Sequence, residues 1–147
     1  MVEFALILPI FVLVVFGIFD LGRAVYAYNT VNNAAREGGR LAIVDQTIGN
    51  VQSRAAQHAV ALGVPPASVE VDFRSLSTPD VADSCDALVA SGNAASQCIA
   101  LVRVPYAFSA ATPLIGAIVG SIQIAGETRF PIEYSCVEPG SSCAGGT

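Results

Sequence analysis

Lysine is missing from this 147-residue chain, and all seven basic residues are arginine against twelve acidic ones, a net charge of −5. The arginines also stand singly, at Arg23, Arg36, Arg40, Arg54, Arg74, Arg103 and Arg129. Nucleic-acid phosphates and anionic lipid headgroups both select for clustered cations, so no nucleic-acid partner is expected and no polybasic membrane patch is visible. Histidine is almost absent too. His58 stands without a Cys or Ser motif beside it, which reads as a solvated or partly packed side chain rather than a catalytic base. With no triad signature, neither an enzyme nor a cofactor is expected. Asp80, Asp83 and Asp86 could gather around calcium, but they lack the spacing of a calcium-binding loop.

What the chain does have is a run of sixteen apolar residues, 4–19 (FALILPIFVLVVFGIF), bounded by Glu3 and Asp20. As a helix it reaches about 24 Å at about 1.5 Å per residue, slightly short of a bilayer core of about 30 Å unless residues 20–22 contribute. The rest of the chain is too small and polar to wrap a helix that is apolar all round. Lipid, identical neighbours, or one after the other must therefore cover it.

The organisation that follows is simple. Residues 3 to 44 read as one long helix, with Pro9 inside its apolar part and Gly17, Gly22, Gly38 and Gly39 as points of flexibility or close approach. Residues 1–28 are taken as the membrane or filament-core segment and 29–147 as the head. A second helix is expected over 50–62, with Val51, Ala55, Ala59 and Leu62 on one face, stopped by Gly63 and the Pro65-Pro66 pair. Residues 69–76 alternate Val69, Val71 and Phe73 with Glu70, Asp72 and Arg74, the period-two pattern of a half-buried strand. Further strands are expected near 99–108 and 121–134, the last bulged or bent near Gly126 and Pro131. Residues 112–120 read as a short helix or amphipathic loop, and 77–97 as a long connection. The fold class is α+β: a long and a short helix against a small antiparallel sheet. Tyr26, Tyr28, Tyr106 and Tyr134 read as packing or interface residues.

Four cysteines, Cys85, Cys98, Cys136 and Cys143, lie in the second half, and neither gap resembles the CxxC pair of a zinc site. Disulfides are the expectation over zinc or free thiols. Three connectivities are open, and the sequence-local pairs Cys85 with Cys98 and Cys136 with Cys143 would each stabilise by roughly 2 to 3 kcal/mol. Disulfides demand an oxidising, extracytoplasmic compartment. The positive-inside rule points the other way, because Arg23, Arg36 and Arg40 all follow the apolar run. A basic leader removed ahead of the run would reconcile the two. An ordinary secretory signal does not fit, since no small-residue cleavage site follows the run.

The opening VEFALILPIFVLVVFGIFDLGRAVYAYNTVNNAAREGGRLA resembles the start of the TadE-like family, pilin-related proteins of tight-adherence pilus systems. RVPYAFSAATPLIGAIVG is similar to the strand and Thr-Pro-Leu segment of that family's C-terminal half. The resemblance implies a signal cut by a prepilin peptidase after a glycine, with a glutamate a few residues beyond the cut, the place Glu3 occupies. The leader and that glycine are missing from the chain, as expected for a mature subunit or for a start codon set downstream of the true one. It further implies a subunit held in the inner membrane with an extracytoplasmic head, then built with its own copies or other pilins into an extracellular filament by a pilus assembly machinery.

Three features of the helix carry chemistry of their own. A carboxylate at Glu3, beside residues that enter lipid or a protein core, is costly unless paired, and no basic residue of the same chain is near enough in sequence. Its expected partner is intermolecular, the α-amino group of a neighbour, which would set the stagger between subunits; a solvated interfacial carboxylate is the alternative. Pro9 removes one helical hydrogen bond, so the first turns could kink or locally melt. Asp20 and Arg23, three apart, should face each other on one side of the helix. Two function classes stay open: a structural pilin-like subunit, or a single-pass envelope protein whose disulfide-bonded head binds a partner.

Overall fold

The computed structural model describes residues 2–90, 92, 97–112 and 120–133, with only the backbone of residues 2, 3, 5 and 6. Helix α1 runs unbroken over Val2–Ala42, continuing through Pro9. It is closed by Asp45, whose amide donates to the Leu41 carbonyl at 2.8 Å, and by the Gln46 side chain on the Ala42 carbonyl at 3.0 Å. Helix α2 spans Ile48–His58. The helix expected over 50–62 thus starts earlier and stops sooner. Its last turn tightens into a 3₁₀ turn, Val60–Leu62, because Gly63 takes a left-handed φ of 68° and its amide returns to the Val60 carbonyl. The Asp45 carboxylate organises the entry to α2 by accepting from the Thr47 amide at 2.9 Å and the Asn50 side chain at 2.8 Å.

Three strands follow, β1 (Glu70–Ser75), β2 (Cys98–Ser109) and β3 (Ser121–Pro131), with a one-turn helix α3 (Asp86–Ala90) inside the long connection from β1 to β2. The sheet is antiparallel in the order β1-β2-β3. The expected α+β architecture is therefore present. The expected bulge in β3 is not: its pairing with β2 holds one register from Ile99 opposite Pro131 to Ser109 opposite Ser121, with Gly126 in line opposite Val104.

The ladder parity explains two prolines that would otherwise break a sheet. The Leu76 amide bonds the Gln97 carbonyl, and the Ile132 amide bonds the Cys98 carbonyl. Alternation then turns the backbone groups of odd-numbered β2 residues toward β1 and of even-numbered ones toward β3. Pro105 faces the β1 side, beyond the start of β1 at Glu70, and Pro131 faces the outer edge of β3, so neither costs a ladder bond. The outer edge of β1 is covered by the chain leading into α3. Cys85 donates to the Phe73 carbonyl at 3.1 Å and the Ser75 amide donates to the Ser84 hydroxyl at 2.8 Å.

Both long helices pack on one face of the sheet, α1 over β2 and β3 and α2 beside it toward β1. The core is built from small residues that bring backbones close. Val31, Ala34, Ala35 and Ala42 of α1 meet Val51, Ala55 and Ala59 and the sheet residues Phe73, Ala100, Val102 and Val104, all buried. Gly38 and Gly39 are two of the close-approach points. A Cβ on Gly38 would lie 2.9 Å from Ala55 Cβ, and one on Gly39 would lie 2.6 Å from Phe130 and Thr128. Gly126 is the third: a Cβ there would overlap the Val31 carbonyl group and sit 2.6 Å from the Asn32 nitrogen. The glycine in β3 is a seat for the helix backbone. Among the described residues, a Cβ on Gly17 or Gly22 would meet nothing within 4 Å.

Candidate assembly surface

One helix does two jobs. From Val31 to Ala42, α1 supplies the head's core, whereas its N-terminal half carries large apolar side chains in the open, Ile10 at 68% and Phe19 at 67% exposed among them. By length and composition α1 can cross a bilayer, and only 6% of its most apolar window is buried. The exposed residues Ile10, Phe11, Leu13, Phe16 and Phe19 lie on all sides of the helix, so no described face of the head could cover them together.

The junction between the bare and the packed halves lies at Asp20. Its side chain is 8% exposed. The carboxylate accepts from the Ala111 amide at 2.9 Å, the Thr112 amide at 3.0 Å and the Thr112 hydroxyl at 2.6 Å. Arg23 stands 3.5 Å from the same carboxylate, with its guanidinium 5.7 Å from the centroid of the Phe108 ring. Asp20 and Arg23 thus face one another, yet the stronger partners of Asp20 are the backbone and side chain that follow β2. Beside the junction an apolar cleft of about 480 Å³ is lined by Phe16, Phe19, Asp20, Arg23, Ala111 and Thr112.

Residues 1–40 match the TadE-like protein family. The family is one of pilus-associated, pilin-like structural proteins with an N-terminal apolar helix, and not of enzymes. The TadE-like match ends two residues short of the end of α1, so it covers the helix and its junction and not the sheet. No curated protein and no solved structure matches the chain.

The other residues singled out from the sequence fall as follows. The backbone of Glu3 lies in the first turn of α1, and its side chain is outside the described residues. Pro9 is exposed on the apolar half. Cys85 and Cys98 are joined by a disulfide with a Cα–Cα distance of 6.0 Å, both fully buried, stapling the segment before α3 to the start of β2. Cys136, Cys143, Tyr134 and most of 112–120 lie outside the described residues. Tyr26 and Tyr28 are exposed on α1, and Tyr106 packs against the core. His58 is exposed in the last turn of α2.

Asp80, Asp83 and Asp86 do not form a metal site: among the described residues no three acidic, His or Cys side chains converge on one. Asp83 instead takes a left-handed φ of 52° and gives its amide to the Asp72 carboxylate at 2.9 Å. Burial pushes Asp72 up, but the bonds from Asp83 and Arg74 outweigh it and hold this carboxyl below its ordinary value. Burial, and then the charges of Asp83 and Asp72, push Asp86 up. The Asp20–Thr112 contact had one faint signal in the sequence, a lone acid at the point where the apolar run ends.

Proposed function

We propose that the chain is a structural pilin-like subunit. The apolar run of α1 holds it in the inner membrane with its head outside the cytoplasm, and the same helix then packs with those of identical copies or other pilins in an extracellular type IV pilus-like filament that serves adhesion. The observation that carries this reading is the division of α1 into a half that is the core of a folded head and a half on which most of the described large apolar side chains stand open. A helix of that kind needs lipid or its own copies around it. A prepilin peptidase and a pilus assembly machinery are the partners the reading requires. Glu3 is the subunit-registering residue, paired with a cation on a neighbour.

Electron microscopy of the material sheared from cells expressing the full chain with its assembly partners tests the proposal, and filaments containing the chain are expected. Detergent-bound monomer as the sole form would favour the single-pass envelope protein. Glu3→Gln keeps the helix and the apolar run, so it is expected to accumulate in the membrane while filament yield falls sharply; unchanged yield would reduce Glu3 to a solvated interfacial residue.

A further inference from the structure

We propose that the cation facing Glu3 is Arg23 of a second copy of this chain, an inference that rests on copies packing through α1. The acidic residues of the first 22 positions are Glu3 and Asp20, and Arg23 is the basic side chain nearest to the apolar run. Its neighbour Asp20 does not use up all its donors. Both oxygens of that carboxylate are committed to Ala111 and Thr112 at 2.6 to 3.0 Å, and Arg23 stands off at 3.5 Å. The guanidinium has five donors and its side chain is 53% exposed, so it retains donors for a second carboxylate. Stacking near Phe108 fixes where it points.

The surroundings suit the same occupant. Phe16, Phe19, Arg23 and Tyr26 recur at spacings of three, four and three along α1, which places them on one helix face, and all four are exposed. The cleft of about 480 Å³ beside Arg23 is walled by Phe16 and Phe19. In a neighbouring copy Glu3 is flanked by Val2 and Phe4, an acid set among apolar residues. That turn complements a cation set in an apolar cleft in both charge and hydropathy. The pairing fixes a register: Glu3 and Arg23 are twenty residues apart on one continuous helix, so contacting copies are displaced axially by about 30 Å. The α-amino group expected from the sequence would instead place neighbours' N-terminal turns near one level.

Two measurements on the full chain test this. In sheared filaments of the parent chain, a minor tagged copy carrying Glu3→Cys and another carrying Arg23→Cys are incorporated and oxidised together, with the parent chain alone as background and Arg36→Cys in place of Arg23→Cys as the position control. A linked dimer specific to the Glu3 and Arg23 positions is expected, and its absence overturns the pairing. In filament-forming cells, Glu3→Arg and Arg23→Glu are each expected to lower filament yield about ten-fold or more, and the double exchange to restore most of it. Retention of the Cys85–Cys98 disulfide in each variant reports that the head has folded. Single losses without recovery in the double exchange, or normal yield from Arg23→Glu, overturn the inference. A parent chain that forms no filaments at all sinks the filament reading, whereas parent filaments without the linked dimer sink the pairing alone.

Discussion

Replacing Gly126 by alanine adds one methyl group where the structure has no space for it. The new Cβ would meet backbone, the Val31 carbonyl group and the Asn32 nitrogen, not the end of a side chain that could swing aside. Ordinary contact begins at about 3.4 Å, so α1 must retreat from β3 by about 1 Å. A gap of that size forfeits roughly a quarter to a half of each dispersion contact it opens. The contacts at stake include Val31, Ala34 and Ala35 against the sheet, all fully buried. Overpacking against rigid neighbours costs about 1 to 3 kcal/mol, and the upper end is expected here, lowering Tm by about 10 °C. Gly49→Ala is the matched control: it sits in α2 with nothing within 4 Å and should stabilise by about 0.5 to 1 kcal/mol. The assay is thermal unfolding of the full chain in detergent, followed by hydrogen exchange of β2 amides so that the micelle-bound half of α1 does not mask the head. A Gly126→Ala protein melting within a degree or two of the parent would refute the claim that helix and sheet backbones touch there.

Asp20→Asn replaces an acceptor of three hydrogen bonds by an amide that presents a donor on one side, so exchange at the Ala111 and Thr112 amides should accelerate about ten-fold or more; unchanged protection would mean the junction is held otherwise. Cys85→Ala with Cys98→Ala opens a closed loop across a sequence separation of 13 and should cost about 2 to 3 kcal/mol in urea unfolding, with β1 the first strand to lose protection. Asp72, depressed in the fold, stabilises the head above its unfolded value, and that contribution is lost as pH falls through the folded value. Acid unfolding should therefore steepen below 3.8 and flatten in Asp72→Asn. Asp86 has the opposite sign: raised in the fold, its ionisation works against folding as pH climbs past 3.8, so Asp86→Asn should stabilise the head at neutral pH; a loss there would contradict the sign.

The parts of this fold governed by local pattern could be read directly. The apolar run and its polar continuation gave α1, and the alternation of Val69, Val71 and Phe73 against charged neighbours gave β1, because both are periodicities within one segment. The pairing of Cys85 with Cys98 was legible as the short loop of the three possibilities. Contacts between distant segments were not. Asp20 looked like half of an i,i+3 ion pair, and nothing near it announced Thr112, which reaches it by tertiary folding alone. Gly126 suggested a bulge because glycine in a strand permits one, whereas the reason for it is the backbone of a helix that no pattern within β3 records. Helix α2 ends short of the expected residue 62 because Ala59 to Leu62 are apolar throughout while the backbone tightens into a 3₁₀ turn.

The seat of α1 on Gly126 also dictates an order of events during synthesis. Val31 leaves the ribosome about 95 residues before the glycine that receives its backbone, which lies in the last strand of the sheet. Until β3 has emerged the Val31, Ala34 and Ala35 face has no sheet edge to close it, so the head stays incomplete until its last strand is available. A chaperone would have its client in that interval, and a chain arrested before residue 121 would offer it an open apolar groove rather than a smaller folded domain.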